Sequence, residues 1–419
     1  MEKYQEYKDS GVQWVPYIPV HWEVHRAKYM FKKEQRPIQK NDEIVTCFRD
    51  GEVTLRKNRR ISGFTEATDY SHYQHICKGD LVIHQMDAFA GSSGVSDSDG
   101  MGTPVLSVCT ALSCDINNYY YAHVLRLMGW NGYILSLYRG IRERSSDFRF
   151  DTFAKQWLPL PPLSEQQSIV SYLNSKCEKI DKMIDGKEKQ IALLQELKQR
   201  TIADAVTRGL NPDVKFKKTN ISWLEEIPEH WEMRKMKYLF TERSEKNHPD
   251  EPMLSATQTE GVILQSKYKN RVVVVNTGFE GLKLVKVGDF VIHLRSFQGG
   301  IEYTYDQGII SSAYTILFPN NADFSEYFKY LFKSMPFIDL LKTCVTGIRE
   351  GQNINYSKLK QHQIPLPPIE EQRAIVAYIK EHTSKIENLT SKLQQEIEAI
   401  KEYKQRLISD VVTGQIKVC

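Results

Sequence analysis

The chain is one unit written twice, and that repetition limits its fold more than any other feature. Residues 18–23 (IPVHWE) return as residues 227–232 (IPEHWE), an offset of 209. At the same offset Trp14 meets Trp223, Lys28 meets Lys237, Tyr29 meets Tyr238, Phe31 meets Phe240, and residues 78–84 (KGDLVIH) meet 287–293 (VGDFVIH). Further on, LPLPPLSEQQSIVSYLN (158–174) matches IPLPPIEEQRAIVAYIK (364–380) at offset 206, and LKQRTIADAVT (197–207) faces YKQRLISDVVT (403–413). Two nearly constant offsets, three residues apart, describe a duplicated domain with one small loop difference. Two copies of so long a period exclude a solenoid.

Each copy has two parts. The first mixes short apolar, β-branched runs such as Val272–Val275 and Phe290–His293 with turn signals, Gly79-Asp80 and Gly288-Asp289 among them. Helical patches such as Phe324–Leu341 lie between the runs. The expected class is therefore mixed α/β. The second part is a long helix after a proline cluster, at 159–162 and again at 365–368. Ser164 is the expected cap of the first helix, and acidic residues at both starts suit the helix dipole. Leu173, Cys177, Ile180, Ile184, Ile191 and Leu194 space a narrow apolar stripe along the first helix. Ile379, Ile386, Leu393, Ile397, Ile400, Leu407 and Val411 do so along the second. Lys187 interrupts the first stripe where Leu393 continues the second. About 45 residues at ~1.5 Å each gives rods of roughly 65–70 Å.

Two helices with one stripe each bury those stripes most simply on each other, antiparallel by symmetry. The expected plan is an α/β domain over 1–163, a spacer helix over 164–210, a second α/β domain over 211–369, and a second spacer helix with tail over 370–419. Gly209–Asp213 turns the chain into its second half. The tail from Gly414 is expected beside the N-terminal segment, so the plan is nearly circular.

Composition matters mainly for what it excludes. With 41% hydrophobic and 26% charged residues the chain is neither disordered nor fibrous. No apolar run is long enough to span a membrane, and the opening MEKYQEYKDSG has no secretory core. Seven cysteines without a CxxC pair read as reduced thiols of a cytoplasmic protein. The net charge of +4 names no partner, so a basic face must come from clustering.

The searches for catalytic chemistry come back empty. The chain has no [DN]PP[YF] string, no GxGxxG loop and no GxxxxGK[ST] loop. Pro212-Asp213 lacks the following E-x-K of a nuclease. His72/His75 and His21/His25 lack the glutamate of a zinc peptidase and read as loop or surface histidines. No catalytic residue, metal site or cofactor is expected.

Taken together, the IPxHWE opening, the duplicated LPLPPxxEQxxIVxYI helix start and the twofold α/β–helix plan resemble the specificity subunit of type I restriction–modification enzymes. The resemblance covers essentially the whole chain. It implies a non-catalytic subunit whose two α/β units are target recognition domains, each binding one half of a split, asymmetric DNA target. It further implies that the helices set the gap and hold two adenine methyltransferase subunits, with two motor–nuclease subunits joining for restriction. A turn of duplex advances about 34–36 Å, so two heads on a rod suit a bipartite site. A coiled-coil adaptor without sequence-specific DNA binding is the alternative.

On this reading the cationic clusters are candidates for DNA contact. In the first head they are Arg56, Lys57, Arg59 and Arg60, then Arg139, Arg142, Arg144 and Arg149. In the second head they are Lys267, Lys269 and Arg271, then Arg295 with Gln298, and the loop carrying Arg349, Gln352 and Asn353. Arg and Lys supply phosphate contacts and guanine readout, while Asn and Gln read adenine. Trp14, Trp22, Trp223 and Trp231 are read as packing anchors between heads and helices. Glu165, Gln166, Glu371, Gln372 and Arg373, near the helix starts, are candidate methyltransferase-docking residues.

Overall fold

A computed structural model describes residues 2–59, 62, 69–137, 147–268, 278–346 and 353–418. Val272–Val275, expected as a strand, lies outside them. The chain forms two compact units, Met1–Gly186 with Gln395–Cys419, and Lys187–Gln394. The division falls inside both long helices, Leu163–Arg208 and Ile369–Val412. Each unit therefore holds one α/β head, the end of one long helix and the beginning of the other.

In the first unit the head is built on a four-stranded antiparallel sheet in the order Phe31–Glu34, Leu106–Ala111, Leu81–His84, Ser93–Val95. In the second the order is Phe240–Arg243, Thr315–Pro319, Phe290–Ile292, Glu302–Tyr303. The Gly-Asp signals before the third-listed strand of each sheet are turns with Gly79 at φ +94° and Gly288 at φ +90°. Each sheet packs under a helical layer. This is Asn118–Trp130 in one head, and Ser325–Leu331 with Met335–Thr343 in the other. A two-stranded hairpin flanks each sheet, Val45–Cys47 with Val53–Leu55 and Leu254–Thr257 with Gly261–Leu264.

The helix stripes are buried as the spacing predicts. Leu173, Ile180 and Ile184 are buried in the first unit together with Ile397, Leu407 and Val411, and Lys404 reaches Asp181 across the pair at 2.6 Å. In the second unit Ile202, Ala205 and Val206 of one helix and Ile375 and Ile379 of the other join a core containing Phe240, Phe290, Phe328, Phe332 and Phe337. Lys198 meets Glu387 there at 2.6 Å. Each pair is antiparallel, since it combines the start of one helix with the end of the other.

Two expectations need correction. Ser164 is not a cap, because the helix already begins at Leu163 and the Pro162 carbonyl accepts from the Glu165 and Gln166 amides. His75 is not a surface residue. It lies on the strand Gln74–Ile76 and is 6% exposed. The tail does lie beside the N-terminal segment: Glu2 bridges Lys417, and Tyr7 donates its hydroxyl to the Gly414 carbonyl.

Candidate nucleic-acid interface

The tryptophan motif is an anchor between head and helix. Trp22 is fully buried and donates its indole N–H to Glu165 at 2.9 Å. Trp231, equally buried, donates to Glu371 at 3.0 Å. His21 and His230 bond the same carboxylates at 2.7 and 2.8 Å, and Tyr4 adds its hydroxyl to Glu165 at 2.8 Å. Burial alone would raise the Glu165 carboxyl, but the hydrogen bonds from Trp22, Tyr4 and His21 hold it below its usual value. A second anchor repeats as well. Buried Tyr120 donates to the carbonyl of Val412, and Tyr327 to that of Val206, at 2.8 and 2.7 Å. Each ties a head to the C-terminal turn of a long helix within its own unit.

These bonds already engage most of the expected docking residues at the helix starts. Gln166 and Gln372 are 0% and 1% exposed, with side-chain amides donating to the carbonyls of Pro161 and Pro367 at 2.8 Å. Glu165 and Glu371 are committed to the tryptophans. Of the five residues only Arg373 is exposed, and it pairs with Glu370 at 3.0 Å and Asp323 at 3.7 Å.

The cationic candidates fall on equivalent turns. After the second hairpin strand each head makes one turn of 3-10 helix, Arg56–Asn58 in the first and Gln265–Lys267 in the second. The turns are pinned alike, with Arg56 N–H donating to Ile44 at 2.7 Å and Gln265 N–H to Met253 at 2.9 Å. Lys57, Arg59 and Lys267 are exposed there, and Arg56 is half-buried. Lys57 pairs with Glu43 and Lys267 with Asp306. Arg59 pairs with Asp50 and Glu52 and stacks on Phe48. Surface pairs of this kind are weak and readily exchanged for phosphate.

A second pair of equivalent turns follows a sheet strand. Arg295 is exposed just before the helical turn Ser296–Gly299, which packs beside the strand Asn353–Ile354. Gln298 and Asn353 are exposed at the same place. In the first head the matching turn at Gln85 accepts from the Phe148 amide at 3.0 Å, next to exposed Arg149, which pairs with Asp147 at 2.5 Å. The structure thus brings Arg295, Gln298 and Asn353 together. Arg60, Arg139, Arg142, Arg144, Lys269, Arg271, Arg349 and Gln352 lie outside the described residues.

Sequence reasoning missed the groove between the second head and its own helix pair. It has a volume of about 750 Å³ and contains Gln298, Lys198, Lys333 and Lys380. Lys329 there stands over the rings of Tyr303, Tyr305 and Tyr330 at 5.3, 4.9 and 5.4 Å. A ring of tyrosines around a cation is a surface on which bases or sugars stack. Its members come from a strand, a loop and a helix, so no local run of sequence signals it. The first unit has a counterpart of about 890 Å³ lined by His123, Arg126, Trp130 and Lys404. Burial, reinforced by Arg126 and Lys404, pushes the His123 imidazole down to about 3.

Residues 221–399 match the family described as the type I restriction modification DNA specificity domain. A putative specificity subunit of the MjaX type I restriction enzyme of Methanocaldococcus jannaschii is 29% identical, covering 96% of this chain and 95% of that protein. The chain is similar to the specificity subunits of type I restriction enzymes. The MjaVIII specificity subunit of the same organism is 26% identical over 62% of each chain. The fold is shared with a chain solved in work on complex assembly and conformational transition of the type I R-M system. That match has a TM-score of 0.69 and 17% identity, over 95% of this chain and 99% of that one. It is also shared with the HsdS subunit of Thermoanaerobacter tengcongensis, at TM-score 0.52 and 17% identity over 95% and 98%. The chain thus shares a fold of two mixed α/β domains with a two-helix coiled coil. No described helix is long and apolar enough to cross a membrane.

Proposed function

We propose that the chain serves DNA recognition as a type I specificity subunit, its two heads each binding one half of a bipartite, asymmetric duplex target. The helix pair sets the gap between the halves and docks two adenine methyltransferase subunits, and motor–nuclease subunits join this complex for restriction in the cytoplasm. The subunit itself performs no catalytic step. The observation that carries this reading is the equivalence of the two 3-10 turns. The frame is the same, but one presents Arg56-Lys57-Asn58 and the other Gln265-Ser266-Lys267. Equal frames with unequal side chains suit two different half-sites. The described contacts of this reading are Arg56, Lys57, Arg59, Arg149, Lys267, Arg295, Gln298 and Asn353. Lys and Arg contact phosphate, while Gln298 and Asn353 reach base edges.

The test is selection from a randomised duplex pool by the chain co-purified with its neighbouring methyltransferase. Two short enriched blocks at one fixed spacing are expected. A single contiguous block or a palindrome overturns the two-head reading. No enrichment at low salt, where phosphate contacts are strongest, would favour an adaptor without sequence-specific DNA binding.

A further inference from the structure

The first head contains a cluster of metal-ligating side chains with no counterpart among the described residues of the second head. The strand Gln74–Ile76 pairs antiparallel with Gly100–Gly102, Ile76 opposite Gly100. His75 and Cys77 are two residues apart along this extended stretch and so share a face. Continuing the register by one residue places Asp99 opposite Cys77, and the Lys78 amide donates to Asp99 at 2.9 Å. One donor atom each from His75, Cys77 and Asp99 lies within 4.8 Å of the others.

The imidazole is already held as a metal ligand is held. His75 Nδ1 lies 3.0 and 2.9 Å from the two carboxylate oxygens of Asp42. A carboxylate only accepts, so Nδ1 carries the proton and Nε2 keeps its lone pair. The Gln39 side-chain amide, on an exposed residue, donates to that lone pair at 3.2 Å. An imidazole oriented through one nitrogen by a carboxylate, with the other nitrogen basic, is the usual support of a histidine ligand.

The second head supplies the control within the same chain. Its equivalent strands, Lys283–Val285 and Gly308–Ile310, pair with Val285 opposite Gly308. Leu284 stands where the first head has His75, Lys286 where it has Cys77, and Gln307 where it has Asp99. Leu284 is buried, at 3% exposed. The backbone frame therefore closes with a leucine, and the buried His75–Asp42 pair of the first head is not required by the fold. Burying such a pair costs free energy that an ordinary leucine does not.

We propose that His75, Cys77 and Asp99 bind a zinc ion in the first head. Imidazole, thiolate and carboxylate are all ordinary zinc donors, and water completes a tetrahedral set. Binding releases the Cys77 thiol proton to solvent and displaces Gln39 from His75. Zinc–ligand bonds of about 2.0–2.3 Å require the donors to close to about 3.5 Å. Asp99 is exposed and Cys77 half-buried, so side-chain rotation can supply that closure. The nearby Arg36 guanidinium is already matched by Asp80, at 2.5 and 3.3 Å. The ion clamps two strands of one head, a structural role separate from DNA contact.

The test is metal content of the full chain, purified without chelator, exposed to zinc and desalted. His75→Leu, which carries the residue the second head uses, and Cys77→Ser are run beside it. About one zinc per chain in the wild type and less than a tenth of that in either variant is expected. Cobalt(II) loading should give a thiolate charge-transfer band that Cys77→Ser lacks, and chelator should lower the melting temperature of the wild type but not of His75→Leu. A wild type that retains no metal overturns the proposal. So does equal retention in the wild type and both folded variants, which would place the metal elsewhere.

Discussion

Removing the carboxylate from the tryptophan anchor has a cost that the geometry sets. In Glu371→Ala the Trp231 indole N–H, 3.0 Å from the carboxylate and buried, loses its partner and water cannot replace it. An unsatisfied buried donor costs about 1–3 kcal/mol, at the upper end when the lost bond was to a charge. His230 is half-exposed and adds little. The expected loss is about 2 kcal/mol for Glu371→Ala, and about 1 kcal/mol more for Glu165→Ala, which also removes the hydrogen bond from the Tyr4 hydroxyl to this carboxylate. For units of roughly 210 residues this lowers the melting temperature by about 4–12 °C. Calorimetry of the single variants, Trp231→Phe and the double variant gives the decisive quantity. The pair should couple by about 1.5–3 kcal/mol. Additive effects would refute the anchor, since two groups that do not interact have no coupling. Because the Glu165 carboxyl is held below its unfolded value, its contribution is present above pH 4.5. It fades as pH falls through the lowered folded value.

Three further outcomes follow from buried chemistry. His123 titrates near 3 when folded and near 6.5 when unfolded, so the unfolded state binds more protons between those values. First-unit stability should drop by about 2 kcal/mol from pH 6.5 to 5, and His123→Gln should flatten that slope in chemical unfolding. Gly414 lies at φ +72° with a Cβ position 2.6 Å from Pro19, whereas Gly11, at φ +66°, faces open space. Gly414→Ala should therefore destabilise by more than the ~1 kcal/mol expected of Gly11→Ala in urea titrations. Asp289 accepts from Arg243 at 2.7 and 3.1 Å and from the Lys286 amide at 2.9 Å, almost wholly buried. Asp289→Ala should cost about 1–3 kcal/mol by thermal unfolding, because it removes two bonds of the Arg243 guanidinium and the acceptor of the Lys286 amide, while Glu245 keeps its own bond to Arg243.

What could be read from the sequence was whatever rests on spacing. The duplication, the two long helices, their buried stripes and the Gly-Asp turns all follow from local periodicity or a glycine's conformational freedom. What escaped depends on which distant atoms meet. An acid near a helix start reads equally as dipole complement or docking residue. Only the fold shows that Glu165 and Glu371 face indoles 143 and 140 positions away. The hydroxyls of Tyr120 and Tyr327 reach helix carbonyls 292 and 121 positions distant. His75 was misread because its partner Asp42 lies on a separate segment. The linear division into head, helix, head, helix gives way to units that share both helices, because the helices pair antiparallel.

The duplication separates requirements of the frame from residues free to differ, without any second protein for comparison. The Trp–Glu and Tyr–carbonyl bonds occur in both units at matching positions, so the frame needs them. The buried aspartates Asp80 and Asp289 also match, yet their arginines do not. The first head carries Glu34 and Arg36 where the second carries Arg243 and Glu245, a reversal of charge at equivalent sites. In both heads an arginine reaches the aspartate in two bonds. The buried carboxylate is thus the fixed demand, since an unpaired charge there is costly. The strand can meet it from either of two positions on one face. At the exposed turn positions no buried charge makes such a demand, so Lys57-Asn58 and Ser266-Lys267 differ on equal backbone frames. Sequence preference can therefore change in one head while the anchors that hold it remain untouched.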